Sequence, residues 1–350
     1  MSPTAMEKAT ILVTGCGAFT GLEVVRSLRM GASSEHLIGT ELSWFGHQVA
    51  NRECDTVNLV PRADDEKYAE AMQDVVNRQN VDLIFLNYDI ELEHLANWRD
   101  GVDVAFSCPD TDAIENCLNK KRTFELASTR VPVPGTRTVR ELSDVQSCLE
   151  VFGEKIWLRC TTGQSGNGSI VITKAHQAIS WMRYWREIKQ VEDTWLAHEF
   201  LPGRNLNWTS LWYDGELVCS VAGERLAYFL AASSVSGVTG NVSHCRTVEG
   251  REANEIGEEA VRAVAKRPHG LFSVDMVEDE SGLPNLTEVN ARCAFRPLLL
   301  TMAGVNFPRI LADLLLYEKY PRLPRHDAAT LGVEMYRGMD VEPMFKFPGD

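Results

Sequence analysis

Across the first 112 residues, short apolar runs alternate with amphipathic stretches, and that alternation leaves little choice of fold. Ile11–Thr14, Leu37–Thr40 and Val81–Asn87 read as buried strands, with helical periodicity over Leu22–Met30 and Asp64–Gln79 between them. Apolar strands separated by helices form a parallel sheet covered on both faces. The unit ends near residue 110, where Ser107-Cys-Pro-Asp-Thr-Asp112 supplies turn and capping residues.

A chain of 350 residues exceeds what one core fills, so further units are expected. A helix over Ala113–Ser128 stops at Val131-Pro-Val-Pro134, because proline cannot continue it. Next come a helix at Leu142–Phe152, a strand at Ile156–Cys160, a polar glycine loop, a strand at Ser169–Thr173 and a helix at His176–Gln190. Residues 194–221 are strand-like around the turn Tyr213-Asp-Gly-Glu216. A helix over Glu252–Lys266 precedes strands at Leu271–Val277 and Asn285–Val289, and Val305–Tyr317 reads as a last helix.

The balance of 44% apolar and 24% charged residues is that of a globular protein. A net charge of -14 argues against nucleic acid as a partner, although a local basic cluster can still hold one nucleotide. No run of about 18 apolar residues occurs and the first residues carry no apolar leader core, so no membrane partner and a cytoplasmic location are expected. The nine cysteines are scattered without a CxxC pair, which suits small core residues in a reducing compartment.

Three constellations carry potential chemistry. Gly15, Gly17 and Gly21 follow the first strand, where such a turn either admits a phosphate to a helix N-terminus or simply joins strand to helix. Their GxGxxxG spacing fits NAD(P) loosely, and no Tyr-x-x-x-Lys pair exists to serve a short-chain dehydrogenase. Thr161-Thr-Gly-Gln-Ser-Gly-Asn-Gly-Ser169 lies between two strands and lacks the Gly-Lys-Ser/Thr of a P-loop. It reads as a flexible hairpin or as a mobile cover for a triphosphate, with Arg159 just before it. In the third, Glu288 and Asn290 sit two apart on one strand and so leave one face, beside Asp275 on the preceding strand. Three oxygen ligands on a sheet suit Mg²⁺, and Arg292 continues the alternation. The plain alternative is a solvated face with capping carboxylates.

In this order, from about residue 119 to 316, the pieces resemble the ATP-grasp superfamily. The residues before them resemble its pre-ATP-grasp domain, in the carbamoyl-phosphate synthetase-like and carboxylate–amine ligase-like branches. Asn119-Lys120 ahead of VPVP resembles the family's Asp-Lys, whose lysine reaches ATP phosphates, with Lys121 the alternative. Trp157-Leu-Arg159 and the glycine loop resemble the second cation and its phosphate cover, implying ATP contacts from Arg159, Gly163, Ser165, Gly166 and Gly168. His198-Glu-Phe-Leu-Pro-Gly203 resembles the hinge EYLPG, implying adenine contacts at Glu199, Phe200 and Leu201. Asn205 stands where the family usually has a ribose-binding carboxylate. Glu288-Val-Asn-Ala-Arg292 resembles E-x-N-P-R, with Ala291 for proline. The resemblance implies Asp275, Glu288 and Asn290 as metal ligands and Arg292 and Arg225 as catalytic.

The resulting expectation is an α/β protein: a Rossmann-like pre-ATP-grasp domain over 1–112, then a two-part α+β ATP-grasp module. That module has a small lid unit over 113–200, a metal-bearing unit over 201–325 and a tail over 326–350. ATP and Mg²⁺ (or Mn²⁺) are the implied cofactors, and a small-molecule carboxylate and amine the implied partners, with a homodimer left open. The implied reaction forms an amide or peptide bond through an acyl phosphate, releasing ADP and phosphate. Two other readings are carboxylation or carbamoyl-phosphate-like chemistry on bicarbonate or carbamate, and an NAD(P)-dependent oxidoreductase. Arg296 is a candidate for an acidic substrate group or a surface salt bridge. Asp89, Glu91 and Glu93 suit an ammonium group or, more plainly, a solvated helix start.

Overall fold

The computed structural model describes residues 8–31, 34–162, 168–189, 194–235, 237–338, 342 and 344–349. Its first sheet is wholly parallel, in the order β3-β2-β1-β4-β5, as the apolar runs require. The strands are β1 (Thr10–Thr14), β2 (His36–Glu41), β3 (Thr56–Leu59), β4 (Leu83–Phe85) and β5 (Ala105–Phe106). Helices α1 (Phe19–Met30), α2 (Trp44–Ala50), α3 (Tyr68–Arg78) and α4 (Asp89–Glu93) connect them. All five residues of β1 are buried, and apolar side chains pack on both faces of this sheet.

The stretch expected as one helix over 113–128 is two, α5 (Thr111–Leu118) and α6 (Lys120–Ala127). Asp110 caps the first, its Oδ1 accepting from the Ala113 N–H at 2.8 Å. Asn119 breaks the run with an extended backbone and caps α6 by accepting from the Arg122 N–H. A side chain that competes for backbone N–H groups favours a cap over a helix interior, which decides the break. The Lys120 N–H, freed from the first helix, donates to the Thr161 carbonyl at 3.0 Å.

A second, antiparallel sheet runs β6-β9-β7-β8, from β6 (Thr136–Val139), β7 (Ile156–Cys160), β8 (Ile170–Ile172) and β9 (Trp195–Glu199). Helices α7 (Leu142–Phe152) and α8 (Ala175–Lys189) cover it, and it has a hydrophobic core of its own. The third sheet is antiparallel in the order β14-β13-β10-β11-β12-β15-β16. Its strands are β10 (Asn205–Tyr213), β11 (Glu216–Tyr228), β12 (Val242–Val248), β13 (Gly270–Glu278), β14 (Pro284–Asn290), β15 (Glu334–Tyr336) and β16 (Met344–Lys346). The last two come from the stretch read as a tail. Helices α9 (Glu252–Val264), α10 (Pro297–Met302) and α11 (Phe307–Tyr317) complete the unit.

Two apolar clusters run without a break from the parallel sheet into this third sheet and its helices. The first and third units are therefore one packed body, and the small antiparallel unit stands on it with a separate core. No helix among the described residues is long and apolar enough to cross a membrane. All nine cysteines are free and buried.

The glycine turn after β1 serves packing. Gly15 takes φ +54°, and a Cβ there would fall 2.1 Å from the Tyr88 ring. The Gly17 N–H donates to Glu41 Oε1, and a Cβ on Gly17 would meet the Gly46 carbonyl at 2.2 Å. Close packing therefore accounts for both glycines.

Candidate active site

The site forms where β13 and β14 face the small sheet. Asp275 and Glu288 are direct partners across the two strands, and Asn290 lies opposite Ser273 further along. The register shifts next to Asp275, with Thr287 as the extra residue on β14 and its hydroxyl donating to the Asp275 carbonyl at 3.0 Å. Such a bulge re-aims the side chains beside it. It turns Glu288 toward the small sheet.

Two cations meet that carboxylate's surroundings. Lys120, at the first turn of α6, is buried and places Nζ 3.0 Å from Glu288 Oε1. Lys121 is exposed beside Glu125, so Lys120 is the lysine turned to the sheet. Arg159 reaches from β7 and donates through Nη2 to the Thr287 carbonyl at 2.6 Å, one residue from Glu288. Burial depresses the Arg159 guanidinium, while Glu288 and Asp275 support its charge. On the other side Asp275 Oδ1 accepts from Arg225 Nη2 and Asn207 Nδ2, both at 2.7 Å. The Arg225 guanidinium also lies 5.5 Å from the centre of the Phe295 ring. Burial opposes its charge, but Asp275 raises its pKa above the ordinary range.

Asn205 has both ends of its amide engaged. Its Oδ1 accepts from Arg225 Nη1 at 3.0 Å and its Nδ2 donates to the Tyr228 hydroxyl at 2.9 Å. It therefore buttresses Arg225. At the end of β9, Glu199 accepts from the Gly135 N–H at 3.3 Å and Phe200 packs under Lys155, 3.8 Å from the ring centre; Leu201 follows, half-buried. Gly168 takes φ +76° against Cys160, and its carbonyl accepts from Trp181 Nε1 at 2.8 Å. Gly163, Ser165 and Gly166 lie outside the described residues.

Arg292 does not continue the strand alternation. β14 ends at Asn290, and Arg292 lies in the bend beyond it, where its Nε and Nη2 donate to the two oxygens of Asp89 at 2.5 and 2.8 Å. Asp89 opens α4 of the first unit, so the pair joins the two units at the edge of the site. Burial works against the Asp89 charge, yet Arg292 holds its pKa below the ordinary range. Glu91 is buried too and accepts from the Thr14 hydroxyl at 2.5 Å, so of the three acids only Glu93 is the solvated group expected.

Arg296 requires correction. It is 4% exposed and paired with Glu23 of α1, away from the carboxylates of β13 and β14. It neither meets the site nor forms a surface bridge; it locks α1 to the loop ahead of α10. Sequence reasoning also missed Asn207 and Tyr228, and it named Asp89 without its partner Arg292. Asn207 was readable in principle, since it lies two residues beyond Asn205 on one strand face.

The donor set fits a divalent cation with a polyphosphate. Asp275, Glu288 and the Asn290 amide oxygen are hard oxygen donors on rigid strands. No cluster of three or more His, Cys, Asp or Glu suited to a metal occurs among the described residues. The ion's remaining oxygens must then come from elsewhere, as phosphate-bound Mg²⁺ requires.

No protein-family model matches the sequence, and no curated protein matches it by sequence. Solved structures do match in shape. The biotin carboxylase domain of 2-oxoglutarate carboxylase from Hydrogenobacter thermophilus, in complex with MgADP, ADP and bicarbonate, superposes with a TM-score of 0.73 at 13% identity, over 95% of this chain and 74% of its own. N5-carboxyaminoimidazole synthetase from Staphylococcus aureus gives 0.69 at 13%, over 94% and 82%. The L-amino acid ligase from Bacillus licheniformis gives 0.61 at 14%, over 90% and 75%. These are ATP-grasp enzymes, and the chain has their fold.

Proposed function

We propose that the protein is an ATP-dependent ligase that joins a small carboxylate to an amine through an acyl phosphate, releasing ADP and phosphate. One observation carries this reading: two carboxylates facing each other in register, Asp275 and Glu288, stand where two cations arrive from separate elements, Lys120 on Glu288 itself and Arg159 on the adjoining Thr287 carbonyl. That is the charge pattern a metal-bound triphosphate needs, with oxygens for the ion and cations for the phosphates. Asp275, Glu288 and Asn290 would hold Mg²⁺ or Mn²⁺. When bound, the ion neutralises charge on the phosphoryl group in transfer.

Lys120 and Arg159 face the phosphates, and residues 199–201 at the end of the small sheet take the adenine. The carboxylate substrate lies beside Arg225 and Arg292, two guanidinium forks suited to carboxylate or phosphoryl oxygens. Asp89, already paired with Arg292, offers the complementary charge, so a zwitterionic amino acid can replace each partner of that pair with its own opposite charge. The small unit's separate core allows it to close on ATP as a body and keep water from the acyl phosphate. A screen of paired carboxylates and amines tests the reading: phosphate release should require one of each. Release dependent on bicarbonate without an organic carboxylate supports the carboxylation reading instead.

A further inference from the structure

We infer that His198 is a positioning residue for Arg159, an uncharged imidazole whose Nε2 lone pair sets the plane of the guanidinium that faces the triphosphate. The inference rests on the proposed role of Arg159 as a phosphate-facing cation.

The hydrogen bonds fix both the tautomer and the direction of the chain. Arg159 Nε always carries hydrogen, and it lies 3.1 Å from His198 Nε2, which must therefore accept. In a neutral ring the hydrogen then sits on Nδ1, and Nδ1 donates to the Thr136 hydroxyl 2.8 Å away. Thr136 in turn donates to the Pro134 carbonyl at 2.8 Å. Burial first, then the neighbouring Arg159 and Lys120, push the imidazole well below its ordinary pKa, which keeps it in this acceptor form.

The strand register makes the contact. His198 of β9 is the direct partner of Trp157 on β7 and of Thr136 on β6. Arg159 lies two residues on from Trp157, so it is the diagonal neighbour of His198 on one sheet face. The guanidinium is held at one end by His198 in the small sheet and at the other by the Thr287 carbonyl of β14. Phe124 of α6 covers it, 5.5 Å from ring centre to guanidinium carbon, and also touches the His198 ring at 5.1 Å. Two anchored nitrogens and a covered face leave the fork one orientation. A lysine has no second nitrogen to meet His198 while its ammonium meets Thr287, so arginine at 159 and histidine at 198 form a matched pair.

Calorimetric binding of MgATP and of adenosine to the full chain tests this, with His198→Leu, His198→Asn, His198→Gln and Arg159→Ala beside wild type. Glutamine places an amide oxygen where Nε2 stands, whereas asparagine ends short of Arg159 and leucine carries no acceptor. Loss of one charge-assisted contact predicts MgATP binding weakened about tenfold in the leucine and asparagine variants, with adenosine affinity held within about twofold and glutamine close to wild type. A purely structural histidine would lower both ligands together, and that result overturns the inference. So does a leucine variant that binds MgATP as wild type does while Arg159→Ala loses affinity. Wild type that binds no nucleotide, or Arg159→Ala that binds as tightly as wild type, would instead remove the reading of the site and the inference with it.

Discussion

Lys120 Nζ rests 3.0 Å from Glu288 Oε1, so a cation suited to phosphate is held on a carboxylate suited to metal. The contact depends on the break at Asn119, which starts α6 at Lys120 and ties its N–H to Thr161 at the entrance of the glycine loop. Charges that neutralise each other without ligand avoid the desolvation cost of standing alone, and each has an alternative partner once nucleotide and metal arrive.

Glu288→Gln should therefore separate metal use from nucleotide binding. The amide keeps the shape but loses the charge that holds the ion, and turnover should fall by at least about a hundredfold. With the Glu288 charge gone, Lys120 should hold metal-free ATP at least as tightly as in wild type. Mg²⁺-dependent turnover near the wild-type rate would remove Glu288 from the ligand set.

Glu23 and Arg296 should matter to stability and not to substrate. They form a pair with each side chain 5% exposed, between α1 and the start of α10. Removing one partner leaves a buried charge, so Glu23→Ala should cost about 3–5 kcal/mol in chemical denaturation. The double replacement Glu23→Met with Arg296→Leu should recover part of that loss, because the packed apolar pair needs no counter-charge while Arg337, 3.8 Å from Glu23, still loses its carboxylate. A selective rise in substrate KM at unchanged stability would return Arg296 to the site.

These residues show what a sequence can and cannot give. Asp275, Glu288 and Asn290 were legible because strand alternation is a local rule and their partners lie on the next strand. The core of the first sheet was legible for the same reason. The Arg292–Asp89 and Arg296–Glu23 pairs join residues 203 and 273 positions apart, and no local pattern announces such a meeting. The strands β12, β15 and β16 were missed because their place is fixed by pairing within a seven-stranded sheet and not by their own periodicity.

Glu91 should impose a pH dependence on stability. Burial pushes its carboxyl up to about 7 from an ordinary value of 4.5, against hydrogen bonds from Thr14, Asn87 and Tyr68 that favour the charge. A raised folded-state pKa means the folded chain holds the proton more tightly, so the contribution is intact below 4.5 and is lost as pH rises through about 7. Glutamine can accept from Thr14 and donate to the Tyr68 hydroxyl. Glu91→Gln should match wild type near about pH 4 and exceed it by up to about 3 kcal/mol near about pH 8, read from denaturation midpoints. A constant difference across that window would mean the carboxyl is ionised throughout.

The nucleotide product separates the reaction classes. Lys120 meets Glu288 and Arg159 meets the adjoining Thr287 carbonyl, and the proposed metal ligands stand beside them, an arrangement that gathers charge at one end of a triphosphate. Attack there falls on the terminal phosphoryl group, so the products should be ADP and phosphate, never AMP and pyrophosphate. With the right carboxylate and no amine, hydroxylamine should intercept the activated acyl group as a hydroxamate. ADP formation should then depend on that carboxylate, because a site that positions phosphate against a bound nucleophile while excluding water gains little from water itself. Nucleotide analysis by chromatography alongside a hydroxamate assay reads both outcomes at once. AMP as the product would end the proposal, and ADP formed at equal rates with and without any carboxylate would reduce the protein to a nucleotide hydrolase.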